Sequence, residues 1–180
     1  MIYVFLANGF VEVEAIAPID LLRRSGKEVV IAGVGGKNVV GSHKIPVAAD
    51  ISAEEIVLGD DLEMIVLPGG MPGTLNLEKD SSVQKAIDYC SEHNKYIAAI
   101  CAAPSILGHK NLLNGKTAVC YEGFEDQLSG AEIGTESVAV DGNIITARGA
   151  GVAVKFGLKL VETLVSAEAS QKLSKSIMCD

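Results

Sequence analysis

Short apolar runs alternate along the chain with longer stretches whose apolar positions return every three or four residues. Ile2 to Ala7 is the first short run, Val11 to Ser25 the first helical stretch, and Lys27 to Val34 the next run. A strand buried on both faces reads as a continuous apolar run, and a helix between two such strands returns the chain for parallel pairing. The alternation therefore predicts a mostly parallel central sheet with helices on both faces. Gly26 ends the first helix, as a glycine just past a helix terminus commonly does. Pro18 lies inside that helix, and its missing N–H predicts a bend or a displaced first turn.

Further along, Val39 to Ala49 is β-like but broken by Gly41 and Pro46, which suits an edge hairpin off the main sheet. Ser52 is placed to cap a short helix through Leu58. Leu62 to Leu67 is the next core strand and runs into Pro68-Gly69-Gly70-Met71-Pro72-Gly73, a loop whose backbone can approach a ligand closely. Asp80 or Ser81 caps a helix to about His93. Thr117 to Tyr121 reads as a strand, and Glu122 to Leu128 as a loop or helical turn over the site. Ser137 to Ala147 reads as a hairpin around Asp141-Gly142. Arg148-Gly149-Ala150-Gly151 is then a second glycine loop, followed by helices from Val152 to Val165 and from Ala167 to Ile177. No linker or repeat interrupts residues 1–180, which read as one domain.

Within this frame Tyr96 to Leu107 is a buried strand running straight into a short helix, with Cys101 at the corner. A sharp strand-to-helix turn needs small flanking residues, and Ala99 and Ala103 supply them: the geometry of a nucleophile elbow. The backbone N–H groups after such a corner favour a thiolate. The N–H of Ala102, with that of Gly70 in the neighbouring loop, would form an oxyanion hole. The first helix brings Glu12 and Glu14 to the same rim, and periodicity does not choose between them. A carboxyl poorly solvated beside a thiol holds its proton and can hydrogen-bond the thiolate, so the two titrate as a unit.

A cysteine hydrolase would need a histidine as well. His43 lies in the edge hairpin, His93 at a helix end away from the strand ends, and His109 just beyond the elbow helix. His43 is the best placed of the three to reach the site or a second subunit. Arg148 could bind an anion or fix its own loop through carbonyls. The run Gly33-Val34-Gly35-Gly36-Lys37 matches neither of the glycine fingerprints for phosphate.

Composition narrows the partners. With 180 residues, 48% of them hydrophobic, the chain can bury one substantial core. A net charge of −8 argues against a nucleic-acid groove or an anionic membrane surface and leaves a small neutral or electrophilic substrate. No basic leader and no membrane span are evident. Cys90, Cys101, Cys120 and Cys179 stand far apart with no Cys-x-x-Cys pair, so neither a zinc knuckle nor a thioredoxin-type site is expected. Free thiols imply a reducing, cytoplasmic setting.

Several pieces, in order, resemble the ThiJ/PfpI family (the DJ-one superfamily), in the branch of the Parkinson-disease-associated deglycase. They are Gly9 with Glu12-Val13-Glu14-Ala15 and Pro18-Ile19-Asp20, Leu67-Pro68-Gly69-Gly70, Ala99-Ile100-Cys101-Ala102-Ala103-Pro104, and Thr146-Ala147-Arg148-Gly149-Ala150-Gly151. The resemblance implies a flavodoxin-like α/β three-layer sandwich and a homodimer built on the first helix and edge hairpin. It puts Glu14 on the family's carboxyl, Cys101 on its reactive cysteine, and Gly70 and Ala102 on its oxyanion-type amides. The activity it implies is a cofactor-free, metal-free glyoxalase or deglycase acting on methylglyoxal-like 2-oxoaldehydes or glycated protein. An oxidation-sensing chaperone working through a Cys101 sulfinate is the alternative, and an intracellular cysteine peptidase or amidotransferase the more distant one. Gly130-Ala131 stand where several relatives carry a site histidine, and Ala150 and Val152 replace a proline and a threonine of the family's last loop.

Overall fold

The computed structural model describes residues 1–179. In chain order the elements are β1 (Ile2–Leu6), α1 (Glu12–Arg24), β2 (Val29–Gly33), β3 (Asn38–Val40), β4 (Pro46–Ala48), β5 (Ile51–Ser52), β6 (Met64–Leu67), α2 (Gly73–Lys79), α3 (Ser81–Glu92), β7 (Tyr96–Ile100), α4 (Pro104–His109), β8 (Thr117–Ala118), β9 (Glu132–Ile133), β10 (Val138–Asp141), β11 (Ile144–Ala147), α5 (Ala153–Leu164) and α6 (Ala167–Ser176). Seven strands form one sheet in the order β10-β11-β7-β6-β1-β2-β5. All neighbours pair in parallel except β10 with β11, the hairpin at one edge.

Alternate residues of the central strands enter opposite cores, as the two-residue period of a strand dictates. Tyr3, Phe5, Ile65, Leu67, Ile97 and Ala99 pack on one face with Leu77, Val83, Ile87 and Ile106 of α2, α3 and α4. Ile2, Val4, Leu6, Met64, Val66 and Ile100 pack on the other with Ile19 and Leu22 of α1 and Phe156, Leu160 and Val161 of α5. The result is the expected three-layer sandwich. Gly157 lets α5 lie directly on α1: a Cβ there would stand 3.1 Å from Pro18 Cα. Helix α1 runs without a break through Pro18.

Three local expectations need correction. Ser52 does cap, with Glu55 completing a capping box, but only a single 3₁₀ turn over Ala53–Glu55 follows, not a helix to Leu58. Tyr3 Oη donates to the Val57 carbonyl at 3.2 Å and accepts the Val57 N–H at 3.0 Å, which holds the chain extended there. The glycine-proline loop is shorter than its composition suggests, because α2 begins at Gly73. Beyond it Asp80 caps α3, accepting from the Ser82 and Val83 N–H groups. The strand at Thr117 stops after Ala118 and pairs in parallel with β9, away from the main sheet. The β3–β4 hairpin lies off the main sheet, as expected.

Candidate active site

Four adjacent strands, β11, β7, β6 and β1, deliver their carboxyl-terminal connections to one rim. Open α/β sheets present their ligand-binding crevices at this end. From β7 comes Cys101, with φ of +66°, a left-handed conformation that costs a non-glycine residue roughly 1–2 kcal/mol. The strain is what turns the side chain outward at the corner, and α4 starts three residues later with Pro104 in its first turn. Cys101 is 9% exposed, whereas Cys90 is fully buried.

From β6 come Gly69 and Gly70. A Cβ on Gly69 would stand 2.5 Å from Cys101 Cβ and 2.8 Å from Glu14 Oε2, so only glycine lets these side chains meet. Gly70 has φ of +99°, and its N–H, with that of Ala102, lies close enough to the cysteine sulfur to favour the thiolate. The two amides singled out in the sequence thus face one atom.

Glu14, from the first turn of α1, is fully buried. Its Oε2 accepts the Gly69 N–H at 3.0 Å, while Oε1 has no hydrogen-bond partner in good geometry among the described residues. Burial pushes the Glu14 carboxyl up, against the lowering influence of the Cys101 thiol and the Gly69 and Ala150 N–H groups. Burial also pushes the Cys101 thiol up to about 12, aided by the charge of Glu14 and its hydrogen bond, with the Ala102 and Gly70 amides opposing. The contribution from Glu14 exists only while that carboxyl is ionised. Once it is protonated, repulsion gives way to donation, so the pair shares one negative charge and titrates as a unit.

A cavity of about 310 Å³ opens over the sulfur, lined by Val11, Glu14, His43, Gly70, Met71, Cys101, Ala102, Tyr121, Phe124 and Ala150. Structure therefore settles which glutamate faces the thiol. Glu12 turns away and grips the β3–β4 turn, and His43 of that turn reaches the cavity wall. His93 bonds the Tyr89 carbonyl of its own helix and His109 pairs with Glu78 at 2.5 Å, so neither belongs to this cavity. Arg148 is exposed and borders a neighbouring cavity of about 380 Å³ with Tyr121, Glu122 and residues 149–152. It does not line the Cys101 cavity. Val11, Met71, Tyr121, Phe124 and Ala150 were not legible as wall residues; only the placement of 122–128 over the site hinted at Phe124. The Tyr121 N–H donates to the Cys101 carbonyl at 2.8 Å, which fixes that segment over the elbow. Among the described residues no three His, Cys, Asp or Glu side chains converge in the manner of a metal site.

Residues 1–163 match the DJ-1/PfpI family profile. The chain belongs to the DJ-1/PfpI family. Among its relatives in this family, protein dj-1beta of Drosophila melanogaster is 35% identical over 178 residues, covering 97% of this chain and 95% of that one. A Pyrococcus abyssi member named a deglycase is 32% identical over 149 residues, covering 82% of this chain and 89% of its own. Among solved DJ-1 structures, the oxidised Toxoplasma gondii protein superposes with a TM-score of 0.93 at 34% identity, covering 98% and 97% of the two chains. Drosophila DJ-1beta gives the same score and identity, covering 99% and 97%. The sandwich of this chain is thus the DJ-1 flavodoxin-like fold. No helix among the described residues is long and apolar enough to cross a membrane.

Proposed function

We propose that the protein is a cysteine-dependent glyoxalase or deglycase acting on 2-oxoaldehydes such as methylglyoxal, or on the early adducts they form with proteins. The observation that carries this reading is the unpartnered Oε1 of Glu14 beside a strained Cys101 whose sulfur faces two backbone amides. A carboxyl so placed can pass a proton between sulfur, oxygen and carbon. Sulfur attacks the aldehyde carbon, the thiol proton passes through Glu14 to the new alkoxide, and the Gly70 and Ala102 N–H groups hold that oxygen. The carboxylate then takes the hydrogen from C1 and returns it to C2, leaving a thioester of the 2-hydroxy acid. Water releases the acid and restores the thiol. The relative named a deglycase supports the same class.

The test is methylglyoxal consumption by the wild type, Cys101→Ser and Glu14→Gln. Both substitutions are expected to lower kcat at least about 100-fold, and wild-type rates in either overturn the mechanism.

A second reading draws on the same contact: Cys101 oxidised to a sulfinic acid, with protonated Glu14 donating to it. Cys90 is fully buried and Cys120 4% exposed, so peroxide should modify Cys101 ahead of both. Mass spectrometry of peroxide-treated protein checks the selectivity. For assembly, the exposed apolar residues Val13 and Ile16 of α1 and Val40 and Ile45 beside the hairpin turn support a homodimer closed through these elements. A cytoplasmic setting, where all four thiols stay free, completes the reading.

A further inference from the structure

The isomerisation read for Cys101 and Glu14 makes two demands at once. While the carboxylate removes hydrogen from C1, the oxygen on C2 must gain a proton, and Glu14 has none left to give. Besides Glu14 and Cys101, the side chains of the cavity wall able to exchange a proton are His43 and Tyr121. The Tyr121 hydroxyl has no hydrogen-bond partner among the described residues to aim it, whereas the His43 ring, though largely exposed, is anchored at Nδ1 and through its backbone N–H.

His43 sits in the turn between β3 and β4, and Glu12 is the anchor of that turn. Glu12 Oε1 accepts the His43 N–H at 2.9 Å and the Ile45 N–H at 3.4 Å, and Oε2 meets His43 Nδ1 at 3.0 Å. The Ser42 N–H donates to the Phe10 carbonyl at 2.7 Å, tying the turn to the start of α1 a second time. Gly41 leaves room for this grip, since a Cβ there would collide with the Glu12 carboxyl. Partial burial pushes Glu12 up, but the hydrogen bonds from the His43 side chain and the turn backbone outweigh it and hold the carboxyl below its usual range. An ionised carboxylate only accepts, so Nδ1 carries the proton of the His43–Glu12 bond. Nε2 has no hydrogen-bond partner among the described residues, and the acid of this step is the imidazolium, in which Nε2 carries the second proton, the arrangement by which an acid–base histidine is oriented through its other nitrogen.

We propose that His43 is the second acid–base residue of this site, exchanging a proton with the C2 oxygen of a 2-oxoaldehyde, and that Glu12 is the residue that positions it. The inference rests on the glyoxalase reading of Cys101 and Glu14. As the C1–H pair moves into the C1–C2 bond, the C2–O π pair moves onto oxygen and takes the Nε2 proton, giving an enediol on sulfur. Glu14 then returns its proton to C2, the C1 hydroxyl gives its proton to Nε2, and the thioester carbonyl forms. Both residues end as they began, and no outside oxidant or reductant enters.

Methylglyoxal turnover by the full chain, compared with His43→Gln, His43→Ala and Glu12→Gln, tests this. In both His43 variants kcat should fall about 100-fold with KM changed less than about threefold. Alkylation of Cys101 by iodoacetamide should stay at the wild-type rate, because His43 serves the substrate oxygen and not the thiol. Added imidazole should restore part of the lost kcat in His43→Ala and none in His43→Gln, whose side chain fills the space. Glu12→Gln should fall between the wild type and these variants. Wild-type kcat in the His43 variants overturns the inference and leaves the Cys101–Glu14 reading standing. So does a loss matched by equally slow alkylation and indifferent to imidazole, which would place His43 behind the thiol. Absence of turnover in the wild type overturns the underlying reading, and this inference with it.

Discussion

Glu14 and Cys101 wall the same cavity with one carboxyl oxygen uncommitted: Oε2 accepts the Gly69 N–H, and the buried Oε1 has no hydrogen-bond partner among the described residues. A buried carboxyl spent in this way does not stabilise the fold at neutral pH. Its worth lies in the proton it can hold.

That proton links stability to pH. Burial raises the Glu14 pKa in the folded chain above the unfolded value of about 4.3. Between the two, the folded state binds more protons, so stability falls as pH rises. Full stability from this group is present below the unfolded pKa and is lost as pH passes the folded one. Denaturant midpoints of wild type and Glu14→Gln should diverge on going from pH 4 to pH 8, with the variant the more stable at the upper end. Parallel curves would show that Glu14 ionises as an ordinary surface carboxyl.

Gly69 is required by contact and not by backbone conformation. In Gly69→Ala the new methyl would press on Cys101 Cβ at 2.5 Å and on the Ile100 carbonyl at 2.7 Å. Overpacking of this kind costs roughly 1–3 kcal/mol, and the thiol and carboxyl should separate. The expected outcome is a lower Tm together with slowed methylglyoxal consumption, measured by calorimetry and by assay.

The elbow was readable because small residues flank a cysteine where an apolar strand meets a helix, a pattern local in sequence. The partner glutamate was not: Glu12 and Glu14 share the same periodicity, and they part only when the β3–β4 turn, some thirty residues away, captures one of them. Helix α2 was hidden by Pro72 and Gly73, residues that usually break helices but tolerate the first turn. The overextended helix after Ser52 failed for a tertiary reason, since its cap is real and Tyr3 diverts the chain beyond it.

Strain at the corner has its own signature. Cys101→Ala keeps a side chain at φ of +66°, whereas Cys101→Gly relieves it. In helices and strands glycine is the weaker residue, but here the glycine variant should be the more stable by about 1 kcal/mol. Chemical denaturation of the two variants decides the sign, and a more stable alanine variant would refute the strained geometry.

Exposed Ile16 on α1 and Ile45 beside the hairpin turn are the residues to charge if two copies close through this face. Ile16→Lys with Ile45→Lys should convert a dimer to a monomer by light scattering while leaving the fold intact by circular dichroism. A wild type that is already monomeric would refute the assembly.

The β3–β4 hairpin contributes no strand to the main sheet, yet its turn forms part of the cavity wall through His43. The cavity wall and the layers that hold the fold are therefore partly separate portions of the molecule. Substitutions at Ser42 and Lys44, on either side of a retained His43, should shift that wall while the layers that fold the chain and the elbow that carries the thiol stay as they are.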